Sequence, residues 1–189
     1  PAATPKLMPT AGEPLELNAG RLKIKVALVA DGLTGPWDLV FIPGTADLLV
    51  SESTGKLRMI QAGKLLPDPV WTPPSPAGRD ILHGVVPHPD FATNKLVYVS
   101  YLKGDAQRQT LGISRGRLDG TKLVDAKEIF AADAWENATM AYTGRMEFGP
   151  DKMLYVSVGD RDRLCCGPQD DNSIRLRAQN LDNHVGKIL

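Results

Sequence analysis

The stretch Gly-Pro-Asp-Lys-Met-Leu-Tyr-Val-Ser-Val-Gly-Asp, residues 149–160, has two earlier counterparts in this chain, at residues 43–52 and 88–101. Each copy begins with a Pro-Gly or Pro-Asp turn and continues into a short apolar segment that contains the pair Val-Ser. The three Val-Ser pairs begin at residues 50, 99 and 156, so they are 49 and 57 residues apart. Repeats of about 40–50 residues, built from short strands and turns, are typical of β-propeller blades. The pattern therefore predicts an all-β chain with three blades.

A propeller with only three blades would leave sheet edges open, because propellers typically close with about four to eight blades. We therefore expect this chain to be part of a longer protein, and residues 183–189 read as a strand that is just beginning. We interpret residues 1–20 as a flexible N-terminal segment and residues 21–189 as the N-terminal part of a propeller domain. The alternative is a complete small β-sandwich of ordinary domain size.

Composition excludes several classes of protein. The chain has 42% hydrophobic and 23% charged residues with a formal net charge of zero, which gives no electrostatic reason to expect nucleic acid as a partner. The sequence contains no run of about 18 apolar residues, so it predicts no membrane-spanning helix. Residues 1–14 are small, polar and rich in proline, like the segment that remains after a secretory signal is removed. The sequence thus favours a periplasmic or secreted protein.

Alternation and turn residues predict where the strands lie. Residues 22–29 alternate between apolar and basic side chains, as a half-buried strand does. Residues 37–41, 83–87 and 144–148 follow turns, and we interpret them as the innermost strands of the first, second and third blades. Residues 126–139 are interpreted as the connection between the second and third blades.

Cysteine and histidine spacing does not predict a metal site in this chain. Cys165 and Cys166 are adjacent, which fits two loop thiols, a strained disulfide or bonds to other cysteines. His83, His88 and His184 are scattered rather than placed at ligand spacing. We expect His88, in the sequence His-Pro-Asp, to cap a turn through hydrogen bonds.

Four segments in order carry a family resemblance: residues 35–39 with 52–55, then 84–101, 144–161 and 178–189. Together they resemble the soluble quinoprotein sugar dehydrogenases, the glucose/sorbosone and aldose sugar dehydrogenases that use pyrroloquinoline quinone (PQQ). The resemblance extends over residues 33–189. Because members of this family are six-bladed β-propellers, it implies an all-β, six-bladed propeller of which this chain supplies about three blades.

The resemblance also implies a chemistry. In this family an aldose is oxidised at C1 to its lactone in a reaction that depends on PQQ and calcium. Hydride passes to the quinone, calcium acts as a Lewis acid, and a histidine takes the hydroxyl proton. The implied partners are a small-molecule sugar and an external electron acceptor. The main ligands of PQQ and calcium lie, by resemblance, after Leu189. The rest of the propeller could then be supplied by a separate C-terminal half or by a homodimer.

The first-half site positions depart from the family pattern. The position of the family base is Ala141, preceded by Met140, and the position of a supporting glutamine is Arg79. His83 is a weak candidate for the base, and Arg79 and Arg145 are candidates for binding the cofactor, since guanidinium pairs well with carboxylate. The alternative function is a catalytically inactive propeller of the same family that binds a sugar or a protein. A lactonase-type propeller that uses calcium without a quinone is a third hypothesis.

Overall fold

Three antiparallel sheets follow one another along the chain in a computed structural model that describes residues 8–74, 81–105, 107–136, 143–161 and 176–189. In each sheet the strands are paired in chain order, so every sheet is a meander. The predictions made for Arg79, Met140, Ala141, Cys165 and Cys166 fall outside the described residues.

The first sheet contains four strands and the second sheet another four, with a single helical turn between the first two strands of the second sheet. The third sheet has three strands. The elements are, for the first sheet, β3 (Pro36–Phe41), β4 (Leu48–Glu52), β5 (Leu57–Gln61) and β6 (Lys64–Leu65); for the second, β7 (Leu82–Pro87), α1 (Phe91–Asn94), β8 (Leu96–Gly104), β9 (Gln109–Asp119) and β10 (Lys122–Ala131); for the third, β11 (Thr143–Phe148), β12 (Leu154–Val158) and β13 (Lys187–Ile188).

A separate hairpin precedes the sheets. It pairs β1 (Leu15–Ala19) with β2 (Leu22–Val26), and all but one of its strand residues are exposed. The sequence predicted the second of these strands from its alternation. The first strand lies inside the segment 1–20, where no strand was predicted.

The inner strands of all three blades lie where the sequence predicted them, since β3, β7 and β11 begin the three sheets. The predicted connection at residues 126–139 is wrong in its first part, because residues 126–131 belong to β10. Two register shifts, between Val124 and Lys127 and between Glu128 and Phe130, interrupt the alternation of this edge strand. A strand with such bulges no longer shows the two-residue period by which strands are recognised.

The three sheets pack face to face. One apolar cluster joins the first and second sheets, with Leu49 and Met59 against Val85 and Val99. A second cluster joins the second and third sheets, with Tyr98 against Met146 and other residues of the third sheet. Strand β8 is therefore covered on both faces, and its residues from Val97 to Leu102 are at most 8% exposed.

A tyrosine at the first of these junctions also carries a displaced pKa. Burial raises the pKa of Tyr101 to about 12, and its hydroxyl donates a hydrogen bond of 2.7 Å to Glu128 on β10. Burial alone would raise the pKa of Glu128, but hydrogen bonds from Lys103 and Tyr101 outweigh it and hold that pKa below its usual value. This group ties the central strand of the second sheet to its outermost strand.

The serines of the Val-Ser repeat connect one sheet to the next. Ser51 Oγ accepts a hydrogen bond from the Asp38 amide at 3.1 Å and donates one of 2.5 Å to the carbonyl of His83 in the second sheet. Ser100 Oγ accepts from the Gly84 amide at 2.8 Å and donates to the carbonyl of Gly144 in the third sheet at 2.5 Å. The sequence repeat is thus a repeat of contacts between sheets.

Candidate functional site at the inner edge of the sheets

The first strands of the three sheets lie next to each other, since β7 contacts both β3 and β11. Each of the three strands has a β-bulge near its start. In β3 the pairing register shifts between Pro36 and Asp38, and the register shifts of β7 and β11 lie at the corresponding places. The contacts of the serines show which residues occupy equivalent positions in the three bulges. Asp38, Gly84 and Arg145 are the bulge residues that face the serine of their own sheet.

The residues just before these bulge residues form a row across the three sheets. The rings of Trp37 and His83 meet edge to face, with centroids 5.3 Å apart and an interplanar angle of 71°. A Cβ on Gly144 would lie 3.2 Å from the Cβ of His83, so the histidine also packs against the third sheet. The row Trp37, His83 and Gly144 therefore brings three distant parts of the sequence to one place on the inner edge.

His83 is fixed in the middle of this row and is only 1% exposed. Its carbonyl accepts the hydroxyl of Ser51, and its ring lies against Trp37. A general base must come within hydrogen-bond distance of the proton that it removes. Because the ring is closed to solvent, the geometry favours a role in positioning Trp37 and the third sheet over proton abstraction.

Arg145 is the exposed charged residue among the three bulge residues. Its carbonyl accepts a hydrogen bond of 3.4 Å from Ser157, but no hydrogen bond or ion pair joins its guanidinium to another residue in the described part of the chain. The sequence makes it a candidate for binding the anionic cofactor, and the alternative for an arginine at this place is to brace neighbouring carbonyls. Its guanidinium shows no bond to a described carbonyl and is accessible to an anionic ligand.

Trp37 was not singled out from the sequence as a site residue. It is 58% exposed although it lies within β3, and it stands beside the buried His83. Its sequence signal was the Gly-Pro-Trp run before an alternating strand. That signal predicts the strand, whereas the exposure depends on which residues of other sheets surround the bulge.

Two further polar residues, His88 and Arg161, have structural roles in the described part of the chain. The side chain of His88 accepts a hydrogen bond of 3.0 Å from the Asp90 amide and contacts Asn94 at 2.9 Å, which confirms the predicted turn cap. Arg161 lies beyond the last residue of β12 and is only 2% exposed, with its guanidinium donating to the Gln109 carbonyl at 3.3 Å. It braces the second sheet.

The described residues include no group of three or more histidine, cysteine, aspartate or glutamate side chains arranged to hold a metal ion. Within the same residues, no helix is long and apolar enough to cross a membrane. The described side chains with displaced pKa values lie in turns and on β8, β10 and β12, and none of them belongs to the row Trp37, His83 and Gly144. At the turn before β12, the Met153 amide and the Tyr155 hydroxyl together hold the pKa of Asp151 below its usual value.

Comparison with known proteins decides the family. The model of the family "Glucose / Sorbosone dehydrogenase" matches residues 33–189. The chain belongs to this family. The aldose sugar dehydrogenase YliI of Escherichia coli is 30% identical over 178 residues, which are 92% of this chain and 45% of that protein.

Solved structures of the family agree with this assignment. A glucose dehydrogenase superposes with a TM-score of 0.71 and 28% identity, over 86% of this chain and 49% of the other. The PQQ-bound aldose sugar dehydrogenase of Streptomyces coelicolor superposes with a TM-score of 0.61 and 27% identity, over 86% of this chain and 46% of the other.

This member of the glucose/sorbosone dehydrogenase family spans about half the length of the curated relatives that it matches. The comparisons and the three stacked meanders confirm the predicted fold class, a six-bladed β-propeller of which this chain supplies about three blades. They also confirm the predicted family, that of the soluble PQQ-dependent sugar dehydrogenases.

Proposed function

We propose that the complete protein oxidises an aldose sugar at C1 to its lactone, with PQQ as the hydride acceptor, calcium as a second cofactor and an external molecule as the final electron acceptor. The observation that carries this proposal is the family match over residues 33–189. A PQQ-bound aldose sugar dehydrogenase among the similar structures supports it. The periplasm or the extracellular space is the proposed location, on the character of residues 1–14.

The residues at the inner edge fit part of this chemistry. PQQ carries carboxylates, and the accessible guanidinium of Arg145 is suited to pair with one of them. The exposed indole of Trp37, the first member of the row Trp37, His83 and Gly144, offers an apolar wall on the same inner edge. We propose that Arg145 binds and orients the cofactor while Trp37, fixed by His83, limits the access of water to it. Arg79 is a second proposed cofactor ligand.

Calcium does not fit the described residues in the same way, since they contain no cluster of candidate metal ligands. No step of the reaction is therefore assigned to calcium in this half of the protein. PQQ, when bound, supplies a quinone that accepts the hydride from the sugar and is reduced as the lactone forms.

The proton of the sugar hydroxyl has no acceptor at the family position, because Ala141 has no basic group. This observation favours a second candidate function, a propeller of the same family that binds a sugar or a protein without oxidising it. Met140 and Arg79, which also depart from the family pattern, favour it too. The two functions differ in turnover rather than in fold.

A PQQ titration followed by an aldose oxidation assay distinguishes them. With PQQ and calcium added, we expect slow oxidation by the native protein and a marked increase with Ala141→His, because the substitution restores a base where the family has one. Unchanged activity of this variant would contradict the alignment at Ala141. A normal turnover rate of the native protein would contradict the expectation that Ala141 limits the reaction.

Cofactor binding is tested separately from turnover. Arg145→Gln should weaken PQQ binding about tenfold, because a hydrogen bond to a charged group is lost. Arg21→Gln, in the exposed turn of the N-terminal hairpin, is the matched control and should leave binding unchanged. If neither the native protein nor the Ala141 variant binds PQQ, the dehydrogenase is excluded and the binding protein is supported.

A further inference from the structure

The first two sheets end in the same way. Strands β5 and β6 are joined by the two residues 62–63, and strands β9 and β10 by the two residues 120–121. Both turns contain a glycine with positive φ, 75° at Gly63 and 56° at Gly120, as tight hairpin turns require. In each case the outermost strand is followed by a connecting segment and then by the inner strand of the next sheet. A tight hairpin, a connection and an inner strand therefore recur at each passage from one sheet to the next.

The N-terminal hairpin stands in the same relation to the first sheet. Strands β1 and β2 are joined by residues 20–21, again with a glycine of positive φ, and β2 is followed by residues 27–35 and then by β3. This connecting segment lies across the first sheet. A Cβ on Gly32 would lie 3.4 Å from Leu65 on the outermost strand, and Leu33 packs against the apolar cluster on β4 and β5. Strand β2 therefore corresponds to the outermost strands β6 and β10, and β1 corresponds to the third strands β5 and β9.

One face of the N-terminal hairpin is apolar. The cross-strand pairs on this face are Leu15 with Val26, Leu17 with Ile24 and Ala19 with Leu22, whereas Glu16 with Lys25 and Asn18 with Lys23 lie on the other face. Leu17 and Leu22 are 46% and 68% exposed, so the described residues leave the apolar face uncovered. A two-stranded hairpin is at best marginally stable alone and becomes stable with a third strand or a packed apolar face. The hairpin thus has the pattern of a sheet that is incomplete in the described structure.

The hairpin also lacks a neighbouring strand where a sheet would continue. In the described part of the chain its two strands pair only with each other. The third strand of each of the first two sheets is flanked on both sides, β5 by β4 and β6, and β9 by β8 and β10. By this correspondence β1 requires a further strand on its free edge, whose N–H and C=O groups are available for antiparallel pairing.

We propose that the N-terminal hairpin supplies the third and outermost strands of the last sheet of the complete propeller, whose two inner strands come from the chain that follows residue 189. The partner of the hairpin is therefore a segment of the same polypeptide. The pairing closes the ring, because it joins the first part of the polypeptide to the last and leaves no third strand without a neighbour.

The fold and the length of the relatives support this partner. In a ring of six sheets the last sheet lies beside the first, and residues 27–35 lead from the hairpin to the first sheet as the other connections lead from each sheet to the next. This chain spans 47% and 45% of two curated relatives, so the rest of such a protein is long enough to build the remaining sheets. The inference rests on the fold and not on the proposed oxidation.

Hydrogen exchange of the complete protein, resolved to single amides, tests the pairing. In an antiparallel hairpin every second amide of each strand points away from the partner strand. The outward amides of β1 should exchange about a hundredfold more slowly than in an unstructured peptide, because they bond to the second strand of the last sheet. The outward amides of β2 are the internal control and should exchange like those of an exposed edge, as expected for an outermost strand. Fast exchange of the outward amides of β1, or slow exchange of those of β2 alone, overturns the proposal.

A substitution on the apolar face tests the packing. Leu17→Gln should lower the urea midpoint of the complete protein and speed the exchange of the outward amides of β1, because the apolar face then loses a buried contact in the last sheet. Lys23→Gln, on the other face and on the outermost strand, is the matched control and should change neither quantity. A urea midpoint that Leu17→Gln leaves unchanged overturns the proposal too, since the face would then be as exposed in the complete protein as it is in this part of it.

Discussion

Two junctions join the three sheets, one between the first and second sheets and one between the second and third. Each junction contains the serine hydroxyl of a Val-Ser pair, but the bulge residue beside that serine differs. At the first junction, Asp38 accepts the Val85 amide of the next sheet on its carboxylate at 3.1 Å. At the second, the corresponding residue is Gly84, and a Cβ there would lie 2.6 Å from the carbonyl oxygen of Gly144. One junction is bridged by a side chain, and the other brings two backbones into direct contact.

This difference shows which part of the repeat fixes the fold. Ser51 and Ser100 make equivalent bonds in both junctions, so the serine maintains the stacking. The bulge residue can change from a carboxylate to no side chain at all while the stacking persists. In the third sheet it is the exposed Arg145. The inner edge of the propeller can therefore acquire new chemistry at this position without a change in fold.

The largest effect is expected from Gly84→Ala. The added methyl group would overlap the Gly144 carbonyl and approach Ser100 Oγ to 3.2 Å, and backbone cannot move aside as a flexible side chain can. Overpacking of this kind costs about 3 kcal/mol, and urea unfolding measures it as a fall in the midpoint. Gly120→Ala is the control, since open space surrounds Gly120 and only its φ of 56° is unfavourable, at about 1 kcal/mol. Equal losses for the two variants would contradict the close approach at the second junction.

The serines allow a direct comparison between a closed face and an open one. Ser100→Ala leaves the Gly84 amide and the Gly144 carbonyl without their hydroxyl partner in a buried place, which should cost about 2 kcal/mol. Ser157→Ala removes one long bond on an exposed face and should cost less than about 0.5 kcal/mol. Both losses are measured by urea unfolding. A loss as large for Ser157 as for Ser100 would contradict the weak contact of the Ser157 hydroxyl with the Arg145 carbonyl.

Much of the fold could be predicted from local patterns. Turn residues followed by a Val-Ser strand recur in all three sheets, so the inner strands and the number of blades follow from the sequence alone. The N-terminal strand and the end of β10 were missed, since the first lies in a polar, proline-rich segment and the second contains two bulges. Local alternation does not reveal strands of these kinds.

The candidate site was harder to predict, because it depends on contacts between residues far apart in the chain. His83 is a weak candidate for the base from the sequence, and its burial between Trp37 and Gly144 favours a positioning role instead. The accessibility of Arg145 and the exposure of Trp37 are likewise set by neighbouring sheets. The roles of Arg79 and Ala141 remain predictions from the resemblance.

The smallest effect is expected from Asp38→Asn, which tests the side-chain bridge of the first junction. The carboxylate accepts the Val85 amide on Oδ2 and the Leu39 amide on Oδ1, and the variant keeps the shape but has only one acceptor oxygen. We expect a loss of about 0.5–1 kcal/mol in urea unfolding, because the first junction retains its serine bonds. Asp68→Asn, at an exposed position without a side-chain bond in the described structure, should be neutral. If Asp38→Asn is neutral as well, the first junction depends on its serine bonds and its apolar packing and not on the carboxylate. The carboxylate would then resemble Arg145, as a charge that the inner edge presents rather than a contact that the fold requires.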